Sequence, residues 1–125
     1  MFNLILLVIL RPDRIIVGEV RGSEAADMLH ALHTGHPGSL CTGHANSCVE
    51  MLNRLSTMVL SGSSLPFEAV VRQIVMGIDI LIHIKRNARG RRLINEIVTI
   101  DHGAENEFRV IPRFLQREGF GLESQ

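Results

Sequence analysis

Apolar positions along the chain fall into two patterns, short β-branched runs and longer stretches at helical spacing, and the two alternate. The run Arg14 to Val20 ends in a lone acid, Glu19, which predicts a buried strand of a parallel sheet with its carboxylate at the C-terminal end. Ser23 is placed to cap a helix through about Leu32, with Ala25, Met28, Leu29 and Leu32 on one face and Gly35 as its stop. Ser39 to His44 predicts a second strand. Ser47 and Glu50 form a capping box that opens a second helix burying Cys48, Leu52, Leu55 and Val59. Pro66 then opens a third, with Phe67, Val70, Val71, Ile74 and Val75 on its stripe and Gly77 behind them.

From Ile78 the period changes to two. Ile78, Ile80, Ile82 and Ile84 alternate with Asp79, Leu81 and His83, and a second alternating run ends at Ile100 after a basic loop, Lys85 to Arg92, containing Gly90. This predicts a hairpin at a sheet edge. Beyond Asp101 the chain is more polar, with one short strand candidate among Phe108, Val110, Ile111, Phe114 and Leu115. At the other end, MFNLILLVIL is nearly all apolar, yet it is about half the length of a membrane-spanning helix. It also lacks the basic start and cleavage site of a signal peptide, so we expect a core element whose preceding sequence is missing, and no transmembrane segment.

Composition narrows the classes. At 125 residues and 46% apolar, the chain suits one compact domain or a piece of one. Thirteen basic and thirteen acidic side chains leave no net charge to draw it onto nucleic acid. Cys41 and Cys48 are too few for a disulfide framework and read as thiols.

Two segments carry the candidate chemistry: RPDRIIVGEVRG, from Arg11 to Gly22, and TGHPGSLCTGHANS, from Thr34 to Ser47. Each sets polar groups just past an apolar strand, where open α/β sheets bind ligands. On that ground alone Glu19 is either a catalytic carboxylate or a solvated strand-end acid.

Both segments closely resemble motifs of the type II and type IV secretion ATPases and their pilus-assembly relatives, most nearly the branch that drives Flp/Tad pili. There, RPDRIIVGEVRG is the Walker B segment and TGHxGSLxTxHANS the histidine box. The resemblance runs from roughly Leu10 to Ile100, including Leu65-Pro66 and an IxEI-like strand around Ile94 to Ile97. It implies part of a RecA-like P-loop NTPase core, an α/β sheet with flanking helices and C-terminal antiparallel strands, spanning residues 11–103. Residues 1–10 precede it as an atypical apolar segment, and 104–125 follow as a polar tail.

By this resemblance Glu19 would polarise the attacking water and help hold the magnesium environment, and His44 would face the terminal phosphate. His36 and Arg21 join them as nucleotide-binding residues, and Gly18 stands where other P-loop enzymes carry a magnesium-binding aspartate. ATP and Mg are the ligands implied, a homo-hexamer the assembly, and platform proteins of a secretion or pilus apparatus the partners. The location implied is cytoplasmic, peripheral to the bacterial inner membrane. These roles agree with what phosphoryl transfer needs: positioned cations, a metal and a group that orients water.

Two other readings of the same residues are weaker. His30, His33, His36, Cys41, His44 and Cys48 invite a zinc site, but the helix and strand positions assigned to them do not converge on one face. Arg86, Arg89, Arg91 and Arg92 make a basic loop without interleaved aromatic residues, which reads as a solvated turn.

A phosphate-binding loop, G-x-x-x-x-G-K-[ST], is missing from these 125 residues: the single lysine is Lys85, between Ile84 and Arg86. MFNLILLVI replaces a more polar segment usual before RPD, Pro37 stands where a polar residue is common, and Gly43 replaces a larger residue before His44. A natural fragment, a truncated gene or a mis-assigned start is expected. The chain alone is therefore expected not to turn over ATP, its alternative role being a non-catalytic module that packs into hexamers of an intact relative.

Overall fold

A computed structural model of the chain describes residues 11–103 and 107–116. The expectations for residues 1–10, and for 104–106 and 117–125 of the tail, lie outside them. The elements run β1 (Ile16–Val17), α1 (Glu24–His33), β2 (Leu40–Cys41), α2 (Cys48–Ser61), α3 (Phe67–Gly77), β3 (Ile80–Arg86), β4 (Arg92–Ile100) and β5 (Val110–Leu115).

The three helices pack against one another around a single main core. Met28 and Leu29 of α1, Leu52, Leu55 and Val59 of α2, and Val70, Val71 and Ile74 of α3 are each at most 2% exposed. These are the stripes predicted from helical spacing, because residues three and four apart share a face. Among the described residues, no helix is long and apolar enough to cross a membrane.

The caps differ from expectation at α1. Ser23 is itself in the helical region of backbone space and makes no capping bond. The N–H groups of Ala25 and Ala26 go to the carbonyls of Gly22 and Ser23, and Glu24 folds back on the approach to the helix, its carboxylate accepting the N–H groups of Arg21 at 2.7 Å and Gly22 at 3.1 Å. An ionised acceptor satisfies two free donors at once and complements the helix dipole, which a serine hydroxyl does less strongly. Those bonds hold the Glu24 carboxyl below the usual range. Gly35, with φ of 89°, follows the end of the helix as expected. At α2, Ser47 accepts the Glu50 N–H at 3.1 Å, while the returning Glu50 carboxylate reaches the N–H of Asn46, one residue earlier than in the standard box.

Two sheets accompany the helices. β1 and β2 pair in parallel, Ile16 with Leu40 and Val17 with Cys41. The first strand was expected from Arg14 to Val20 and buried; the ladder is two residues long, and Ile16 is 74% and Leu40 64% exposed. Ile15 is buried and Val17 packs on the core, so the pair has one covered face and one open one. Parallel strands are buried on both faces only where a layer covers each, and the described residues supply one layer.

The second sheet is antiparallel, in the order β3-β4-β5. Its first strand starts at Ile80 rather than Ile78, because Ile78 still bonds the carbonyl of Ile74 at the end of α3. Leu81 and His83 are partly covered, and the exposed set is Ile80, Ile82 and Ile84. Asn87 closes the basic turn by accepting the N–H groups of Arg89 and Arg91 on its side chain. The short strand expected after Asp101 is β5, bonded along β4, and Phe108 and Val110 pack on the main core, so the packed unit continues past residue 103.

Gly62 ends α2 against the entry to α1. A methyl group there would lie 2.5 Å from the Ser23 carbonyl oxygen, a backbone atom that cannot turn aside. Gly62→Ala is expected to destabilise the fold by about 1–3 kcal/mol, read as a lowered urea midpoint. An unchanged midpoint would mean that the two helices are not held this closely.

Candidate functional site

The parallel pairing of β1 with β2 brings the two motif segments together. Beyond the ladder, the Val20 N–H donates to the Thr42 carbonyl at 2.9 Å, and the Thr42 hydroxyl donates to the Gly18 carbonyl. Glu19 and His44, 25 positions apart, therefore leave adjacent strand ends side by side.

The Glu19 carboxylate is clamped between a guanidinium and an imidazole. One oxygen lies 2.8 Å from Nε2 of His44 and the other 2.5 Å from a guanidinium nitrogen of Arg21. The Glu19 side chain is 23% exposed, whereas Arg21 and His44 are 77% and 79% exposed. The acid is thus anchored near the sheet, and its two partners face solvent. The hydrogen bond from Arg21 holds the Glu19 carboxyl below its usual range, against a smaller upward push from desolvation, with the charges of Arg21, His44 and Arg54 adding to the lowering. The same contact raises the Arg21 guanidinium.

His44 is also held from behind. Arg54, on α2, donates to the His44 carbonyl at 2.7 Å. Gly43 leaves room that the end of the Met51 side chain occupies, so the small residue is packed over rather than loose. Of the sequence-derived set, the structure joins Glu19, Arg21 and His44. It places His36 elsewhere: the ring is 8% exposed, with Nδ1 at 3.2 Å from the Ala31 carbonyl and 3.3 Å from the Thr34 hydroxyl, where it pins the loop to the end of α1.

The residues weighed for zinc are dispersed. His33 bonds the Gln73 carbonyl of α3 at 2.9 Å, and Cys48 is buried at the start of α2. Burial, reinforced by the Glu96 carboxylate, pushes the Cys48 thiol up to about 12, so it remains a neutral filler. No group of three or more His, Cys, Asp or Glu side chains among the described residues is arranged to hold a metal. Magnesium needs less, since it keeps waters and takes one or two carboxylates together with substrate phosphates, and Glu19 fits such a single-carboxylate role.

Sequence reasoning missed Arg54 and Glu96. Arg54 falls four residues after Glu50 on the polar side of α2, a spacing that places it near the box. Glu96 shares by alternation the face of Val98 and Ile100, both buried, and an acid on a covered face needs a partner.

Comparison with known proteins gives a consistent result. A family model described as "Type II/IV secretion system protein" matches residues 2–109. The conjugal transfer protein TrbB of Rhizobium radiobacter is 38% identical over 100 residues, covering 80% of this chain and 30% of that protein. The type IV secretion system protein VirB11 of Brucella suis biovar 1 is 37% identical over 78 residues, 60% of this chain and 22% of that protein. The crystal structure of the VirB11 ATPase from the Brucella suis type IV secretion system, in complex with sulphate, superposes with a TM-score of 0.71 at 33% identity, covering 77% of this chain and 31% of that one. The chain spans less than a third of the length of these relatives.

The clamp makes a pH prediction. Because the folded Glu19 carboxyl titrates below the ordinary 4.5, its pairing adds stability above that pH and loses it as the pH falls through the folded value. Carboxyl carbon NMR should show Glu19 titrating low, and Arg21→Gln should move it back toward the ordinary range. A Glu19 signal that ignores this substitution would contradict the clamp.

Proposed function

The chain belongs to the type II/IV secretion system protein family, and from that premise we propose that it carries the water-orienting half of an ATP-hydrolysing site in a secretion motor. The observation that carries this reading is the Glu19 carboxylate held at a strand end between Arg21 and His44. Glu19 accepts a hydrogen bond from a water and aligns it for attack on the terminal phosphate. His44 and Arg21, already oriented by Glu19 and exposed, turn to stabilise the charge that builds on the phosphoryl oxygens. His36 belongs to the same nucleotide-binding set through the loop that it fixes from a buried position. Bound magnesium would supply charge neutralisation at the phosphates, with Glu19 in its surroundings.

The gripping of the phosphates is assigned to residues outside this chain, since its only lysine, Lys85, lies in β3 and no phosphate loop surrounds it. We place the whole motor as a homo-hexamer at the cytoplasmic face of a bacterial inner membrane, working with platform proteins. The relatives named for conjugal transfer and type IV secretion favour an export or conjugation apparatus. Service in pilus assembly rests on the wording of the two motifs alone.

A second reading, a non-catalytic module that packs into hexamers of an intact relative, is favoured by the open apolar positions Ile16, Leu40, Ile80 and Ile82, all more than half exposed. Co-expression with an intact relative followed by sizing tests it: co-migration supports it, and separate elution under every nucleotide condition excludes it.

The isolated chain is expected to hydrolyse no ATP above background with magnesium present. Robust turnover abolished by Glu19→Gln would show that the site is complete within these residues and overturn the proposal.

A further inference from the structure

One acid on the inner face of the antiparallel sheet has no part in the site described so far. Glu96 lies opposite His83 in the β3–β4 pairing, and its side chain is 17% exposed. Its carboxylate accepts the backbone N–H of Cys48, the first residue of α2, at 2.6 Å. That bond spans 48 positions of sequence and joins α2 to β4. The α2 start already has its own cap in Ser47. The Ser47 hydroxyl accepts only the Glu50 N–H, so Glu96 satisfies a second free donor of the helix start, and because it does so from a distant strand it also ties that start to the sheet.

The local geometry is built for this reach. The pairing slips between His83 and Ile84: His83 faces Glu96 and Ile84 faces Ile94, leaving Asn95 as the extra residue of a β-bulge. Bulges bend a strand and redirect the neighbouring side chain. Asn95 is held in place on both sides, its amide nitrogen 3.2 Å from Nδ1 of His83 and its carbonyl accepting the Gln116 N–H at 2.8 Å. His83 in turn lies 3.9 Å from the Glu96 carboxylate.

We infer that Glu96 is a positioning residue that sets the aim of His44 by tying the start of α2 to the antiparallel sheet. Its fixed point, Cys48, is four residues beyond His44, and α2 also carries Arg54, which grips the His44 carbonyl. The helix start and the Arg54 bond together hold the short segment His44–Ser47 at both ends. A shift of β4 relative to the helices is then passed through Glu96 to the His44 ring and to its contact with Glu19. Its bearing on hydrolysis rests on the function proposed above, whereas the positioning itself does not.

NMR of the intact chain without nucleotide separates the two. In Glu96→Ala, the Cys48 amide should lose at least about tenfold in hydrogen-exchange protection, and the His44 ring and Glu19 carboxyl signals should move. The ring of His33, bonded to α3, should not move. Glu96→Gln, which keeps an acceptor oxygen, should restore most of both effects. If the alanine variant fails to fold, Glu96→Asp, one methylene short, should show the same pattern as expected for alanine. His44 and Glu19 signals unmoved in a folded variant that has lost Cys48 protection would reduce Glu96 to a helix cap and overturn the inference. Because no nucleotide is present, loss of the hydrolysis proposal would leave this result standing, and the reverse also holds.

Discussion

Everything in the candidate site depends on the parallel pairing of two very short strands. β1 and β2 share only the Ile16–Leu40 and Val17–Cys41 positions, yet the bonds from Val20 to Thr42 and from Thr42 to Gly18 carry the register onward to Glu19 and His44. A slip of one residue would turn Glu19 to the other face and separate it from the imidazole. Burial of Ile15 and the packing of Val17 on the core oppose that slip, since their displacement would expose apolar surface. The chemistry of the site is thus anchored by hydrophobic packing beneath it.

On that base, electrostatics does the fine adjustment. Glu19 is shared between the Arg21 guanidinium and the His44 imidazole, one on each carboxylate oxygen, which fixes both exposed side chains at the strand end. Arg54 and the packing of Met51 over Gly43 constrain the His44 backbone, so that the exposed ring moves about a fixed root.

Much of this was legible in the sequence. The helical stripes of α1, α2 and α3 follow spacing alone, and the two motifs marked Glu19, Arg21 and His44 before any geometry was known. The misses have physical causes. Ser23 looked like a cap, but its backbone is already helical and the first-turn N–H groups of Ala25 and Ala26 go to the carbonyls of Gly22 and Ser23 instead of its hydroxyl. The run Arg14 to Val20 reads as a strand buried on both sides, while burial of its outer face depends on a layer that the described residues do not supply. Glu96 was hidden because its partner, the Cys48 N–H, is a backbone group, and its reach depends on a bulge that no residue pattern announces.

That the chain is one half of a divided active site is tested most directly by a chimera. The matching third of an intact relative is replaced by residues 11–116 of this chain, and ATP hydrolysis is measured beside the Glu19→Gln version. The chimera is expected to hydrolyse ATP, and Glu19→Gln to lower turnover by at least about a hundredfold while nucleotide still binds. Equal turnover by the two folded, nucleotide-binding chimeras would contradict it.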